Sequence, residues 1–202
     1  MGAPWINSVK QTHRLNYYLQ GIAGQWQSAV QTAVREFNTI SARRNLGVTF
    51  APSQNAPTDS GGADVGIRTA NGGTSASYRG SQYTTSLPGD ALTGFTMRLY
   101  NPIEKAFIFL PSNPMIGQRS RARRATGLGV KKVIVFHELI HSCGLDNNDH
   151  TPTDVFNGYL DALVGGAAAQ DRLQFLAGGQ YRTMPPIIFS AATADKISRF
   201  WR

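Results

Sequence analysis

Three of the four histidines and one of the three glutamates of the chain lie in the segment VFHELIHSCGLDNNDH at positions 135–150. His137 and His141 are four residues apart, which on an α-helix places them one turn apart and within roughly 40° of each other. Two imidazoles so placed can bind one tetrahedral metal ion. Glu138 projects about 100° around the helix from His137, too far to share that coordination and near enough to reach a water molecule beside the ion. The spacing therefore predicts two metal ligands and one base.

The residues around this motif are similar to a known enzyme family. The segment HELIHSCGL at 137–145 resembles the HExxHxxG signature of the metzincin zinc peptidases, and the Leu-Asp that follows the glycine is similar to matrix metalloproteinases. Upstream, a helix at 26–40, a strand at 46–51 and the segments ADVGIR and AFIFLPS follow the order of that family's N-terminal lobe. Downstream, the segment TMPP at 183–186 resembles the Met-turn, with Met184 beneath the metal site.

The resemblance implies an α+β fold with a single catalytic domain, 1–202. A twisted mixed β-sheet and two long helices would form an N-terminal lobe at about 1–144. A smaller helical or irregular C-terminal lobe would cover about 145–202, and the active-site cleft would lie between the lobes. The resemblance also implies that the protein is a zinc-dependent endopeptidase. One catalytic Zn²⁺ would be bound by His137 and His141, and Glu138 would be the general base.

The chain departs from the family pattern at the third ligand. Metzincins place a histidine three residues after the glycine, where this chain has Asn147. A neutral amide oxygen is a poor zinc ligand beside imidazole or carboxylate groups. His150 follows three residues later in a polar turn that can lengthen without disturbing a core, so we expect it to be the third ligand. Asp149, Asp146 and Asn147 itself remain alternatives.

Outside the motif, the pattern of apolar residues predicts the main elements of the fold. Helical spacing indicates an amphipathic helix at 26–40, and a terminal helix is expected at 193–201 with Thr193 as its cap. Strands are expected at 47–51, 63–68, 93–100 and 105–110, the last one covered on both faces. We assign no element to the Gly/Ser-rich stretch that ends at Gly80, and we expect short helices at 154–164 and 167–177.

Composition limits the partners and the compartment. The net charge of +8 favours anionic partners, and the cluster Arg119–Arg124 predicts an exposed loop or a contact for an acidic protein. Aromatic residues are not interleaved with these arginines, which argues against a nucleic-acid site. A single cysteine, Cys143, excludes an internal disulfide and is expected to be buried and inert. With no membrane span or signal peptide in the sequence, we expect a soluble monomer, cytoplasmic or carried in a larger assembly rather than secreted.

Two functions remain after the sequence is considered. The first is a zinc endopeptidase whose peptide or protein substrate lies across the cleft, aligned by an edge strand at 93–100 or 105–110. The second keeps the fold without the catalysis, as a metal-stabilised binding module that contacts an anionic partner through its basic surface. His13, the remaining histidine, is expected to be an ordinary surface residue.

Overall fold

A computed structural model of the protein describes residues 2–116, 124–152, 154–156 and 187–202. The helices in these ranges are α1 (Asn7–Lys10), α2 (Gly24–Arg44), α3 (Leu128–Ser142) and α4 (Ala191–Trp201). The strands are β1 (Arg14–Leu19), β2 (Thr49–Pro52), β3 (Val65–Ala70), β4 (Gly72–Tyr78), β5 (Ser81–Leu87), β6 (Phe95–Leu99), β7 (Lys105–Pro111), β8 (Met115–Ile116) and β9 (Arg124–Ala125). This combination confirms the expected α+β class.

Five strands form one mixed sheet in the order β2-β1-β3-β7-β6. Neighbouring strands are parallel from β2 through β7, whereas β6 pairs with β7 in the antiparallel direction, with Thr96 opposite Ile108. Strand β6 therefore forms one edge of the sheet. Of the two strand segments proposed as the edge that aligns a substrate, the one at 93–100 is at the edge and the one at 105–110 is interior.

Strand β7 is buried along its whole length because both faces of the sheet are covered. Ala106, Ile108 and Leu110 face the main core, which also contains apolar side chains of α2, α3 and α4. Phe107 and Phe109 face the opposite side and pack in a second, smaller core with the β4–β5 hairpin. The continuous apolar run AFIFL follows from this double coverage, as expected from the sequence.

Helix α3 is buried on nearly every side, which explains why its sequence is apolar around most of its circumference. Its two lysines are accommodated through partners on α2. The Nζ atom of Lys132 lies 2.7 Å from the Glu36 carboxylate, and Lys131 Nζ donates to Gln25 Oε1 at 2.6 Å. These contacts and the shared core fix α3 against α2 and beneath the sheet.

Several elements were not expected from the sequence. The Gly/Ser-rich stretch before Gly80 is a β4–β5 hairpin, because its central residues Arg79 and Gly80 both have positive φ angles (49° and 71°) that suit a two-residue turn. The strand β1 in the polar N-terminal segment was also not expected; it buries Leu15 and Tyr17 in the core.

Helix ends were predicted with mixed accuracy. Helix α2 is longer at both ends than the predicted 26–40 and stops at Asn45, which adopts the left-handed conformation (φ 53°). The cap of α4 is Ser190 and not Thr193: the Ser190 side chain accepts a hydrogen bond from the Thr193 backbone N–H, and Thr193 is buried in the first turn.

Some sequence predictions lie outside the described residues. These are Met184 with its proposed Met-turn, nearly all of the helices expected at 154–164 and 167–177, and the arginine cluster apart from Arg124. In the part of the chain that the structure describes, no helix has both the length and the apolar character needed to cross a membrane.

Candidate metal centre

Three histidines converge where the C-terminal end of α3 meets the turn that follows it. The Nε2 atom of His141 lies 3.1 Å from Nε2 of His137 and 3.3 Å from Nε2 of His150. One ligand atom from each of the three residues falls within 4.8 Å of the others. Two nitrogens bound at about 2.0–2.1 Å to one tetrahedral ion are about 3.3 Å apart. The observed separations around His141 therefore match those of ligands that share an ion.

The hydrogen bonds of two of these rings determine which nitrogen is available. His137 Nδ1 lies 2.8 Å from the Val155 carbonyl oxygen, and His141 Nδ1 lies 3.0 Å from the Leu145 carbonyl oxygen. A carbonyl oxygen can only accept, so Nδ1 carries the proton and Nε2 of each neutral ring keeps its lone pair. Two lone pairs facing each other repel unless a cation lies between them. The donor set thus fits a divalent metal ion, and the backbone carbonyls orient the rings by accepting the proton of the nitrogen that does not face the ion.

Burial keeps the three imidazoles in the neutral form that binds metals. It lowers the pKa of His137 below its ordinary range, and it lowers the pKa of His141 to about 3, with a further contribution from the neighbouring His137. The pKa of His150 is also lowered, first by burial and then by the nearby His137. All three rings are consequently uncharged at neutral pH, and each has one ring nitrogen without a proton that can bind a metal ion.

His150 reaches the site because one turn of 3₁₀-helix, Asn147–Asp149, follows α3. Asp146 caps this turn by accepting a hydrogen bond from the Asn148 N–H, and Asp149 Oδ2 accepts in return from the Asp146 N–H at 2.9 Å. The turn adds three residues, so the ring that approaches His141 belongs to position 150. The side chain of Asn147 is exposed, and no hydrogen bond joins it to the histidines.

Glu138 is 3 % exposed and is held from the edge strand of the sheet. Thr96 Oγ1 donates to Glu138 Oε2 at 2.6 Å, and the backbone of Gly94 also bonds the carboxylate. A Cβ atom at position 94 would lie 2.6 Å from Glu138 Cγ, so only glycine lets the strand approach this closely. Burial raises the pKa of Glu138 to about 7 against the opposing effect of these hydrogen bonds.

His137, Glu138, His141 and His150 line one cleft of about 750 Å³. Its walls are the start of β6 and the segment before it on one side and the turn after α3 on the other. The lining residues are Thr93, Gly94, Phe95, Thr96, Arg98, His137, Glu138, His141, Asp146, Asn147, Asn148 and His150. A substrate in this cleft would meet the imidazoles, the carboxylate and the open edge of the sheet together.

Comparison with protein-family models and with curated proteins found no match for this chain. None of the known protein families has a model that matches the chain, and no curated protein resembles it significantly.

The end of the histidine helix is anchored by groups from distant parts of the chain. The last carbonyls of a helix have no partner within it. Here the indole N–H of Trp5 donates to Ser142 O and that of Trp201 donates to Cys143 O, each at 2.8 Å. Arg98 Nη1 donates to Gly144 O at 2.7 Å. Gly144 has a φ of 114°, which favours glycine and lets the chain turn away towards His150.

The predicted site residues within the described ranges can be compared with their positions in the structure. His137, Glu138, His141 and His150 are brought together, and the alternatives Asp146 and Asp149 are engaged in the cap of the turn. His13 is exposed and bonds the Gly47 carbonyl through Nδ1 at 2.8 Å, apart from the cleft. Cys143 is fully buried, as expected, and burial raises the pKa of its thiol.

Sequence reasoning did not identify the residues that support the site. Thr96 and Gly94 hold Glu138, Val155 orients His137, and the buried ring of Phe156 lies against all three imidazoles. None of these residues carries a motif. Their roles depend on contacts between segments far apart in sequence, and no local pattern could have indicated them.

Proposed function

We propose that the protein is a zinc-dependent endopeptidase. The observation that carries the proposal is that three neutral imidazoles and a buried glutamate face one cleft beside an open sheet edge. His137, His141 and His150 would hold the ion through their Nε2 atoms. Three protein nitrogens with a free fourth position are typical of catalytic zinc sites, whereas structural sites are closed by four protein ligands.

Nitrogen ligands of this kind suit several divalent metals, and zinc is our proposal among them. A bound zinc ion would supply Lewis-acid chemistry, by polarising a peptide carbonyl and by lowering the pKa of a water molecule to about 7. The nearest acid-base group to the imidazoles along the helix is Glu138. Its burial raises its pKa to about 7, which suits a general base because such a base works best with a pKa near the operating pH.

Glu138 would hold and move the proton of the reaction. Its carboxylate would accept a proton from the attacking water and pass it to the nitrogen of the departing amine. Thr96 fixes Oε2 through its hydroxyl hydrogen bond at 2.6 Å, so the carboxylate needs little reorganisation. Each carboxylate oxygen can accept more than one hydrogen bond, which leaves capacity towards the cleft.

Strand β6 would align the substrate. Among the described residues it pairs only with β7, and Phe95, Thr96 and Arg98 line the cleft. An extended peptide could add to its open side by main-chain hydrogen bonds, which would bring a peptide carbonyl over the imidazoles. The mixed sheet, the long helices α2 and α3 and the segment HELIHSCG together support assignment of the chain to a metzincin-like fold with a shifted third ligand.

Substitution of Glu138 by Gln tests this proposal. E138Q keeps the shape of the side chain and all three histidines, so we expect unchanged zinc content and a loss of about 10²–10⁴-fold in the cleavage rate of an unfolded protein substrate. Glu104→Gln is the matched control, because Glu104 bonds Tyr78 and Arg79 away from the cleft. Equal cleavage by wild type and E138Q would remove Glu138 from the mechanism. Zinc binding without any cleavage by wild type would favour the inactive binding module.

A further inference from the structure

Phe156 is fully buried beneath the three histidines. Its ring centroid lies 5.4 Å from that of His137, 4.9 Å from that of His141 and 4.8 Å from that of His150. The two shorter contacts are edge-to-face, an arrangement that aromatic pairs favour at these separations. A single buried side chain, which is not among the residues that line the cleft, thus contacts every proposed metal ligand.

A buried carboxylate fixes the segment that carries this ring. Asp154 has no exposed surface, and its Oδ1 atom accepts a hydrogen bond from the Phe156 N–H at 2.9 Å. Its Oδ2 atom accepts from the Ser190 N–H and from the Thr193 hydroxyl, both at 2.8 Å. The first turn of α4 is thereby tied to residues 154–156. Asp154 has no cation partner among the described residues, so these three hydrogen bonds offset the free-energy cost of burying its carboxylate.

The same short segment also orients one of the ligands. Val155 lies between Asp154 and Phe156, and its carbonyl accepts the Nδ1 proton of His137 at 2.8 Å. Its own N–H donates to the Ile188 carbonyl at 3.0 Å. Asp154 and Val155 therefore anchor this segment to residues in and just before α4. The Val155 carbonyl holds the His137 imidazole, and the Phe156 ring lies against all three imidazoles.

We propose that Phe156 is a positioning residue of the metal centre, an apolar base that fixes the three imidazoles, and that Asp154 holds this base in place. The proposal rests on the metal site of the proposed function. Without such a base, only the hydrogen bonds of their Nδ1 atoms to backbone carbonyls would hold the His137 and His141 rings against the repulsion of their Nε2 lone pairs. The buried ring also excludes water from the rear of the site and lowers the local dielectric constant, which strengthens ion–ligand attraction. Imidazoles that share the charge of a bound cation gain further from a neighbouring π system.

Metal affinity tests the proposal, because it reports on the ligands without requiring catalysis. The metal-free full chain is titrated with Zn²⁺ against a chromophoric chelator and, separately, with Co²⁺ followed by its visible absorption bands. Phe156→Leu is compared with Phe37→Leu, since Phe37 is equally buried but packs against Phe50 and Phe136. We expect F156L to bind zinc about 10-fold or more weakly with altered Co²⁺ bands, and F37L to stay within about 2-fold of wild type.

A second pair keeps the test decisive if F156L does not fold. Asp154→Asn leaves one acceptor oxygen for three hydrogen bonds, whereas Asp195→Asn changes an exposed residue of the same helix region. D154N should bind zinc about 10-fold more weakly than D195N. Equal affinities and identical Co²⁺ spectra within either pair would overturn the role of Phe156 and Asp154 and leave the zinc site standing. A wild-type chain that binds neither metal would overturn this proposal together with the proposed function.

Discussion

The Nε2 atom of His150 lies 3.3 Å from Nε2 of His141, although nine residues and a capped turn separate them. The turn brings His150 to the site and leaves Asn147 exposed to solvent. In the proposed metal centre His150 would therefore take the place that the HExxHxxG pattern gives to position 147, and the two positions can be tested against each other.

Replacement of His150 by Ala should weaken zinc binding by about 100-fold or more, because it removes one of the three proposed nitrogen ligands. Loss of a residue that only hydrogen-bonds to a ligand costs about 10–100-fold. Asn147→Ala should leave the affinity unchanged, because the Asn147 side chain is exposed and makes no hydrogen bond to the histidines, although it lines the same cleft. Competition with a chelator measures both variants. Weaker binding by N147A than by H150A would move the third ligand to position 147.

Gly94→Ala should slow cleavage without loss of metal. The new Cβ atom would lie 2.6 Å from Glu138 Cγ and would push the carboxylate away from its position beneath Thr96. Displacement of a catalytic group by about 1 Å can cost about 100-fold in rate. Steady-state kinetics and zinc content are measured together.

Gly73→Ala is the control for this change, because a Cβ atom at position 73 meets nothing within 4 Å. If G94A and G73A cleave at the same rate, the close approach of the strand to Glu138 has no part in the reaction.

The metal-free chain should lose stability as the pH falls from 6.5 towards 3. The pKa of His141 drops from its ordinary value of 6.5 to about 3 on folding, and burial lowers the pKa values of His137 and His150 as well. In this interval the unfolded chain binds more protons, so the free energy of unfolding decreases with falling pH.

Glu138 acts in the opposite direction between its ordinary pKa of 4.5 and its folded value of about 7. Its raised pKa contributes stability below pH 4.5 that is lost as the pH rises towards 7. One carboxyl group opposes three imidazoles, so the histidines should dominate. Urea unfolding in the presence of a chelator measures the effect, and the triple variant H137Q/H141Q/H150Q should show a weaker acid dependence. An equal or stronger dependence in the triple variant would contradict the assignment.

The parts of the site that depend on helical spacing could be predicted from the sequence. His137, Glu138 and His141 are on one helix, so their relative positions follow from its geometry. His150 required knowledge of the turn, which the sequence indicated only through its polar residues. Phe156 could not be predicted, because its contact with the rings depends on Asp154 reaching Ser190 and Thr193.

The fold shows the same division between local and distant causes. Successive side chains of β7 point into two different cores, so the strand is an unbroken apolar run in the sequence. Helix α2 ends at Asn45, which adopts the left-handed conformation, a local feature. The β4–β5 hairpin was missed because its residues are small and polar, and only the turn at Arg79 and Gly80 signals the pairing. Strand β1 is short and lies next to polar residues, so its place between β2 and β3 comes from the sheet as a whole.

Anomalous diffraction at the zinc absorption edge, from crystals of the zinc-loaded full chain, tests the central claim most directly. A single peak is expected at about 2.0–2.1 Å from the Nε2 atoms of His137, His141 and His150, on the side of the cleft that Glu138 lines. A peak at other residues, or none at these three, would contradict the proposed metal centre and the peptidase chemistry derived from it.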